Sequence, residues 1–437
     1  MVWNRVTISS FLKERSDRIK PDQANELGLQ RLEKIDFSGK IHLNDNKPTR
    51  TGMIFVKKGD LVISGINVEK GAVAVYMGDE DVLATIHYSS YNFDKKKIDV
   101  EYFKWFLKSE AFRAAINSQI KGGIKTELKP KKFLPLKIDL PDLDTQIEIR
   151  NKLNAVNNEI NETINIQYEN DKLLIKLRQA ILSEAIRGKL IPQDNNDEPA
   201  SVLIEKIKAE KEKLIKEKKI KKDKLLPKIK EDEVPYKLPN GWVWVRLNDI
   251  VKFNPRNKVD DESNVSFIPM RLIKCGYNNQ HSFEINKWKN IKKGFTHFKE
   301  RDVAFAKITP CFENRKSTIL TDLEGGCGAG TTEIIILRPF NELFLPELIL
   351  YLVKSEEFIQ FGLSTYTGTA GQQRVNINKL KKLVVGLPPL NEQKRIVDKV
   401  DKLMNLCDQL ENKVKGNQNI SEALMATVLR EAFKIKN

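Results

Sequence analysis

The chain has 437 residues and a mass of 50.2 kDa, more than one hydrophobic core usually organises, so two or more domains are expected. With 40% apolar and 31% charged residues it contains no run near the roughly eighteen apolar residues of a membrane helix. Met1 to Ser10 has no basic flank followed by an apolar stretch, which argues against export and for a cytoplasmic protein without membrane association. Lysine and arginine number 75 against 59 acids, a net charge of +16 with a pI of about 9.4, which suits a polyanionic partner, nucleic acid first among them.

Taken in chain order, the β-branched runs Asp60 to Ile66 and Ala72 to Met77 predict strands, and Glu101 to Ile120 predicts one amphipathic helix through Phe103, Phe106 and Leu107. After Leu143, apolar residues step by four and three through Ile149, Leu153, Val156, Ile160, Leu177 and Ile181. That pattern predicts a helix of about forty residues, about 60 Å long, with a heptad seam. From Glu205 to Asp232 twelve lysines and seven acids make a strongly charged stretch. It is read either as a solvated helix and linker or as a basic arm on nucleic acid. Pro227, Pro235 and Pro239 then mark a boundary.

Beyond that boundary the chain repeats itself. Asp302 to Ile308 and Thr331 to Leu337 predict strands, and Pro346 to Leu363 predicts a second amphipathic helix. A second heptad seam follows, through Ile396, Val400, Leu403, Leu424 and Val428. Leu140-Pro141-Asp142-Leu143-Asp144-Thr145-Gln146 matches Leu387-Pro388-Pro389-Leu390-Asn391-Glu392-Gln393 at an offset of 247, which holds without a gap for more than forty residues. The offset is 246 at Leu107 to Phe112, 242 at Gly59 to Ser64, and 241 at the domain entry, where Trp3-Asn4-Arg5-Val6 answers Trp244-Val245-Arg246-Leu247. The expected fold is α+β: two similar mixed α/β domains separated by two long antiparallel coiled-coil helices, with a pseudo-two-fold internal repeat. The expected segments are 1–144, a first mixed domain; 145–232, a long helix and charged linker; 233–389, a second mixed domain; and 390–437, a C-terminal long helix. Asn170 and Asn417 are the expected polar breaks in the seam, a device that fixes register.

Catalytic motifs are hard to find. Gly325 to Thr332 is glycine-rich but lacks the lysine of a phosphate loop and leads into a strand, so close backbone approach is its better explanation. Asn254-Pro255-Arg256-Asn257 shares only its first two residues with the adenine-methyltransferase motif. Cys275, Cys311, Cys327 and Cys407, with His42, His87, His281 and His297, form no zinc spacing, so no metal or cofactor is expected in this chain.

Four segments carry a family resemblance: Leu238-Pro239-Asn240-Gly241-Trp242-Val243-Trp244; Gly330-Thr331-Thr332-Glu333 through Arg338-Pro339; Leu387-Pro388-Pro389-Leu390-Asn391-Glu392-Gln393; and Arg178-Gln179-Ala180-Ile181-Leu182 through Gly188-Lys189-Leu190-Ile191-Pro192-Gln193. In this order, within a duplicated chain, they resemble the specificity subunit of type I restriction-modification systems. The resemblance implies a non-catalytic chain whose two target-recognition domains each read half of a bipartite, asymmetric site in double-stranded DNA. It implies helices that set the spacer and dock two methyltransferase subunits. S-adenosylmethionine would be bound by those subunits, and restriction/translocase subunits would join them. Against this stand a coiled-coil scaffold that does not touch DNA, and a stand-alone nuclease or methyltransferase.

The matching loops after each domain helix are the candidate DNA contacts. They are Lys121, Lys125 and Thr126 in the first copy and Thr369, Gln372, Gln373 and Arg374 in the second, where small residues admit close approach and donors suit phosphates or base edges.

Overall fold

The computed structural model describes residues 3–36, 39–44, 49–65, 72–120, 128–220, 226–340, 343–369 and 371–434, and for 417–419 and 422 the backbone alone. The chain forms two compact units, one of residues 1–168 and 414–437 and the other of 169–413. Each long helix, Leu143–Ile186 and Leu390–Ala432, contributes to both.

In the first unit Asn4–Thr7 pairs antiparallel with Lys137–Leu140. A four-stranded antiparallel sheet runs in the order Leu12–Glu14, Tyr88–Phe93, Leu61–Ser64, Val73–Val75. A five-stranded sheet adds Arg18–Ile19, Met53–Val56, Val82–Thr85, Arg31–Ile35 and Ile41–Asn44, with one parallel pair. The core gathers Leu61, Tyr91, Phe103, Phe112 and Phe133 with Leu153 of the first long helix and Phe433 after the second. Ile149, Val428, Leu429 and Ala432 pack around it, so here the start of one long helix shares a core with the end of the other.

The second unit has the same plan. Val243–Arg246 pairs with Val384–Leu387, and Val251–Phe253, Ile334–Pro339, Val303–Ala306 and Ser317–Ile319 form an antiparallel sheet in that order. A further four-stranded sheet runs Glu284–Lys287, Asn264–Ile268, Cys327–Gly330, Thr296–Lys299. Leu174, Ile181, Leu182 and Ala185 share the core with Ile396, Val400 and Cys407, again the end of one long helix with the start of the other. The start of the charged stretch belongs to helix Ala200–Lys216, which buries Ala200, Leu203 and Ile207 on this core.

Buried hydrogen bonds explain why the repeat motifs recur. Gln146 is 1% exposed; its Nε2 donates to the Pro141 and Lys97 carbonyls at 2.9 and 3.2 Å, and its Oε1 accepts from Asp99 N at 2.8 Å. Gln393, fully buried, donates to Pro388 and Leu343 and accepts from Leu345 N at 3.0 Å, the same three positions one repeat on. The glutamine that closes each Leu-Pro motif thus ties the start of a long helix to the start of the domain helix. Asp60 and Asp302 likewise each accept from the backbone N–H three residues earlier, at 2.9 and 2.8 Å. Their arginine partners come from different strands: Arg15 follows Leu12–Glu14, whereas Arg338 lies in Ile334–Pro339.

Several expectations are corrected. Each domain helix is two helices, Val100–Lys108 with Glu110–Gln119 and Pro346–Lys354 with Glu356–Ser364. Ser109 and Ser355 break them, each leaving helical φ/ψ and capping the following helix through Phe112 N and Phe358 N. Strand register also places Asn4 opposite Leu140 and Val243 opposite Leu387, so the offset at the domain entry is 239 and Trp3 answers Trp242 rather than Trp244. In the seam, Leu153, Ile181, Ile396 and Val400 are buried, while Ile149, Val156, Ile160, Leu403 and Val428 are half-buried. Leu177 and Leu424 are 44% and 48% exposed and lie off the seam. The side chain of Arg178, one residue on, takes the inward place, held by Asp408 at 2.7 Å and Glu411 at 3.0 Å. A second polar residue buried between the helices is Gln167; Asn170 is half-buried and the Asn417 side chain lies outside the described residues.

Candidate nucleic-acid interface

The second-copy loop is closed by a reciprocal pair of backbone bonds, Thr367 N to Arg374 O at 3.0 Å and Arg374 N to Thr367 O at 2.9 Å. Gly368 and Gly371, at φ +112° and +81°, supply left-handed backbone at its tip, where Thr369 and Gln372 are exposed. Its far side rests on the segment after Val303–Ala306: Val375 N donates to Lys307 O at 2.9 Å and Thr309 N to Gln373 O at 3.0 Å.

Arg374 is committed within this arrangement. Its Nε and Nη2 form a two-pronged pair with Glu333 at 2.9 and 3.0 Å, and Nη1 donates to Gln372 O at 3.0 Å. Pairing with the guanidinium holds the Glu333 carboxyl below its ordinary value. The guanidinium therefore positions the loop, and Thr369, Gln372 and the half-buried Gln373 are the side chains at its surface. Glu333 was legible only as part of the Thr-Thr-Glu segment; its partner is 41 residues away, beyond local pattern.

Lys121, Lys125 and Thr126 lie outside the described residues. The anchor that follows them is the second copy's: Leu128 N donates to Gly65 O at 2.8 Å, as Val375 does to Lys307.

The motifs that suggested chemistry are structural. Asn254, at φ 44°, exchanges two 2.9 Å bonds with the Ile336 backbone, its N–H donating to the carbonyl and its Oδ1 accepting from the amide. Asn257 Nδ2 donates to Phe298 O, and Asn257 N donates to His297 Nδ1 at 3.1 Å. His297 is 5% exposed, and burial foremost pushes its pKa down. The glycines of the Gly-rich stretch form a strand: a Cβ on Gly328 would stand 1.9 Å from Ser266 O, so only glycine lets these strands close. Two family segments meet at Gly188, φ +69°, where a Cβ would lie 2.6 Å from Pro239 and 2.8 Å from Trp242. Among the described residues no three His, Cys, Asp or Glu side chains gather as a metal site, and no helix is long and apolar enough to cross a membrane.

Duplicated mixed domains, each closed by a glutamine-clamped long helix, with a docked polar loop in the second, define a class. Residues 239–418 match the type I restriction modification DNA specificity domain. The EcoAI specificity subunit of Escherichia coli is 48% identical over 258 residues, 58% of this chain and 44% of that protein, and the EcoEI subunit is also 48% identical. The chain thus spans less than half the length of these two relatives. The EcoKI specificity subunit is 23% identical over 90% of this chain and 80% of its own length. A subunit of a type I restriction-modification assembly has the same fold, with a TM-score of 0.68 at 15% identity over 99% of this chain and 98% of its own. The HsdS subunit from Thermoanaerobacter tengcongensis gives 0.54 at 16% over 99% and 96%. In sequence and in fold the chain is thus similar to type I restriction specificity subunits.

Proposed function

We propose that this chain gives a type I restriction-modification complex its DNA sequence specificity, each mixed domain reading one half of a bipartite, asymmetric site in double-stranded DNA. The observation that carries this reading is the pair of loops with equal anchors, Leu128 on Gly65 and Val375 on Lys307, around unequal sequences. The same anchor follows each loop sequence, and unequal side chains prefer different base edges. The +16 charge supplies the phosphate attraction that base contacts alone do not.

The long helices act as spacer and as docking surface for two methyltransferase subunits. Ten of the fifteen exposed large apolar side chains among the described residues lie on these helices. In the second unit they include Leu173 and Leu177, and in the first Ile420 and Leu424, the same two positions one repeat on. A patch displayed twice fits two copies of one partner. S-adenosylmethionine belongs to that partner, restriction/translocase subunits complete the assembly, and the complex works in the cytoplasm. Replacing residues 233–386 by the corresponding domain of a relative should change one half-site and leave the other; a swap that altered both would show the two domains reading as a single surface.

A further inference from the structure

We propose that the second unit holds a site for a small, neutral, planar aromatic molecule of one or two rings, in a cavity that the duplication leaves open. The cavity, about 490 Å³, lies where the end of the first long helix meets helices Pro346–Lys354 and Glu356–Ser364 and strand Val384–Leu387. Ile186, Trp242, Leu348, Leu352, Phe358 and Phe361 supply most of its apolar wall. That volume lies within the range of small-molecule sites, roughly 300–1,000 Å³.

The first unit shows what fills the same place. Positions 102, 106, 112 and 433 answer 348, 352, 358 and 186 at the repeat offsets of 246 and 247. In the first unit Phe433 is 4% exposed, its ring 5.4 Å from Tyr102 and 5.7 Å from Phe106, and Phe106 in turn is 5.7 Å from Phe112. In the second unit Tyr102, Phe106 and Phe433 are replaced by Leu348, Leu352 and Ile186, while the fourth position keeps its phenylalanine, Phe358. Three rings give way to aliphatic side chains and all four positions line the cavity, while Phe344 and Phe361, which answer Ile98 and Ala115, add rings to its wall. Protein interiors leave few voids larger than a water molecule, so a space this large in one copy of an otherwise repeated core marks a place for an occupant from outside.

The first copy also indicates the occupant's chemistry, because the native filling is a phenyl ring edge-on and tilted against other rings. At the rim of the cavity Arg187 pairs with Glu357 at 2.8 Å and lies over the Tyr236 ring at 5.3 Å. Glu233, also at the wall, pairs with Arg246 at 2.9 Å. Each carboxylate has a guanidinium partner, which favours a neutral ligand over a charged one, and Glu357 Oε2, buried without a hydrogen-bond partner, can accept from a donor such as the N–H of indole.

Indole is the probe, added to the full-length chain and followed by calorimetry and thermal unfolding, with cyclohexanol as a non-aromatic control of similar size. Indole at about ten times its Kd should raise Tm by roughly 2–4 °C, and cyclohexanol should bind at least tenfold more weakly. Ile186→Phe and, separately, Leu352→Phe restore first-copy residues and should weaken indole at least tenfold; if one variant fails to fold, the other carries the test. Absence of indole binding up to its solubility limit, equal binding of cyclohexanol, or undiminished binding in a folded variant would overturn the assignment.

Discussion

Gln167 donates from Nε2 to the backbone carbonyl of Val414 at 3.1 Å, and the two residues are 247 positions apart, the repeat offset itself. A position therefore touches its own duplicate. Two helices that run in opposite directions bring equivalent positions together at one level only, and at that level the seam carries a buried amide instead of an apolar side chain. On either side lie apolar contacts, joined on one side by the Arg178 pair with Asp408 and Glu411, and the apolar ones differ in depth: Leu153 is fully buried, whereas Leu403 is half-buried.

That difference predicts unequal mutants. Leu153→Asp places an unpaired carboxylate in the first unit's core and should cost several kcal/mol. Leu403→Asp can turn its carboxylate to water and should cost markedly less. Urea unfolding of the two variants checks the order, and equal losses would show that burial at these positions does not control the seam.

Gln146→Ala and Gln393→Ala should each destabilise the chain by about 2–3 kcal/mol, because a buried backbone N–H loses its acceptor and two carbonyls lose a donor. Hydrogen exchange at Asp99 and Leu345 amides should speed up selectively in the respective variants. Unchanged protection would mean that the glutamines are not what ties helix to domain.

Arg374→Ala and Glu333→Gln should weaken specific DNA binding in the same direction, since both release the loop. The Glu333 carboxyl is held below its ordinary value by Arg374, so this pair's contribution is present above the unfolded glutamate pKa of about 4.3 and is lost as pH falls through the lower folded value. Because the pair is partly exposed, water screens it and that contribution to stability should be small. If Arg374→Ala abolishes binding while Glu333→Gln leaves it intact, the guanidinium contacts DNA directly and the positioning role is wrong.

Leu173→Glu with Leu177→Glu should leave stability within about 0.5 kcal/mol, as exposed changes do, yet remove one methyltransferase subunit. Ile420→Glu with Leu424→Glu should remove the other, and the four changes together should remove both. Native mass spectrometry of the reconstituted complex counts the copies, and a full complement in the fourfold variant would place docking elsewhere.

The duplication, the long helices and the strands around Leu61, Val303 and Ile334 could be read from the residues, because periodicity and self-similarity are properties of local sequence. What escaped was set by distance or by one atom. Ser109 and Ser355 split a continuous apolar stripe with a side-chain oxygen, which hydrophobic spacing does not register. A strict heptad drifts against 3.6 residues per turn, and by Leu177 and Leu424 the apolar residue has rotated out of the seam. The entry register was two residues off because a tryptophan recurs at 242 and 244, and only the pairing of Val243 with Leu387 decides between them. The candidate loop was found by its place in the repeat, but that Arg374 is bound to Glu333 required coordinates.

Mapping methylated adenines across a genome that carries this chain and its partners tests the central claim most directly. The account predicts one motif made of two unlike half-sites separated by a fixed number of unspecified bases, with centres about one helical turn, roughly 10 bp, apart. A palindromic motif, a single uninterrupted word, or a spacer that varies from site to site would contradict it.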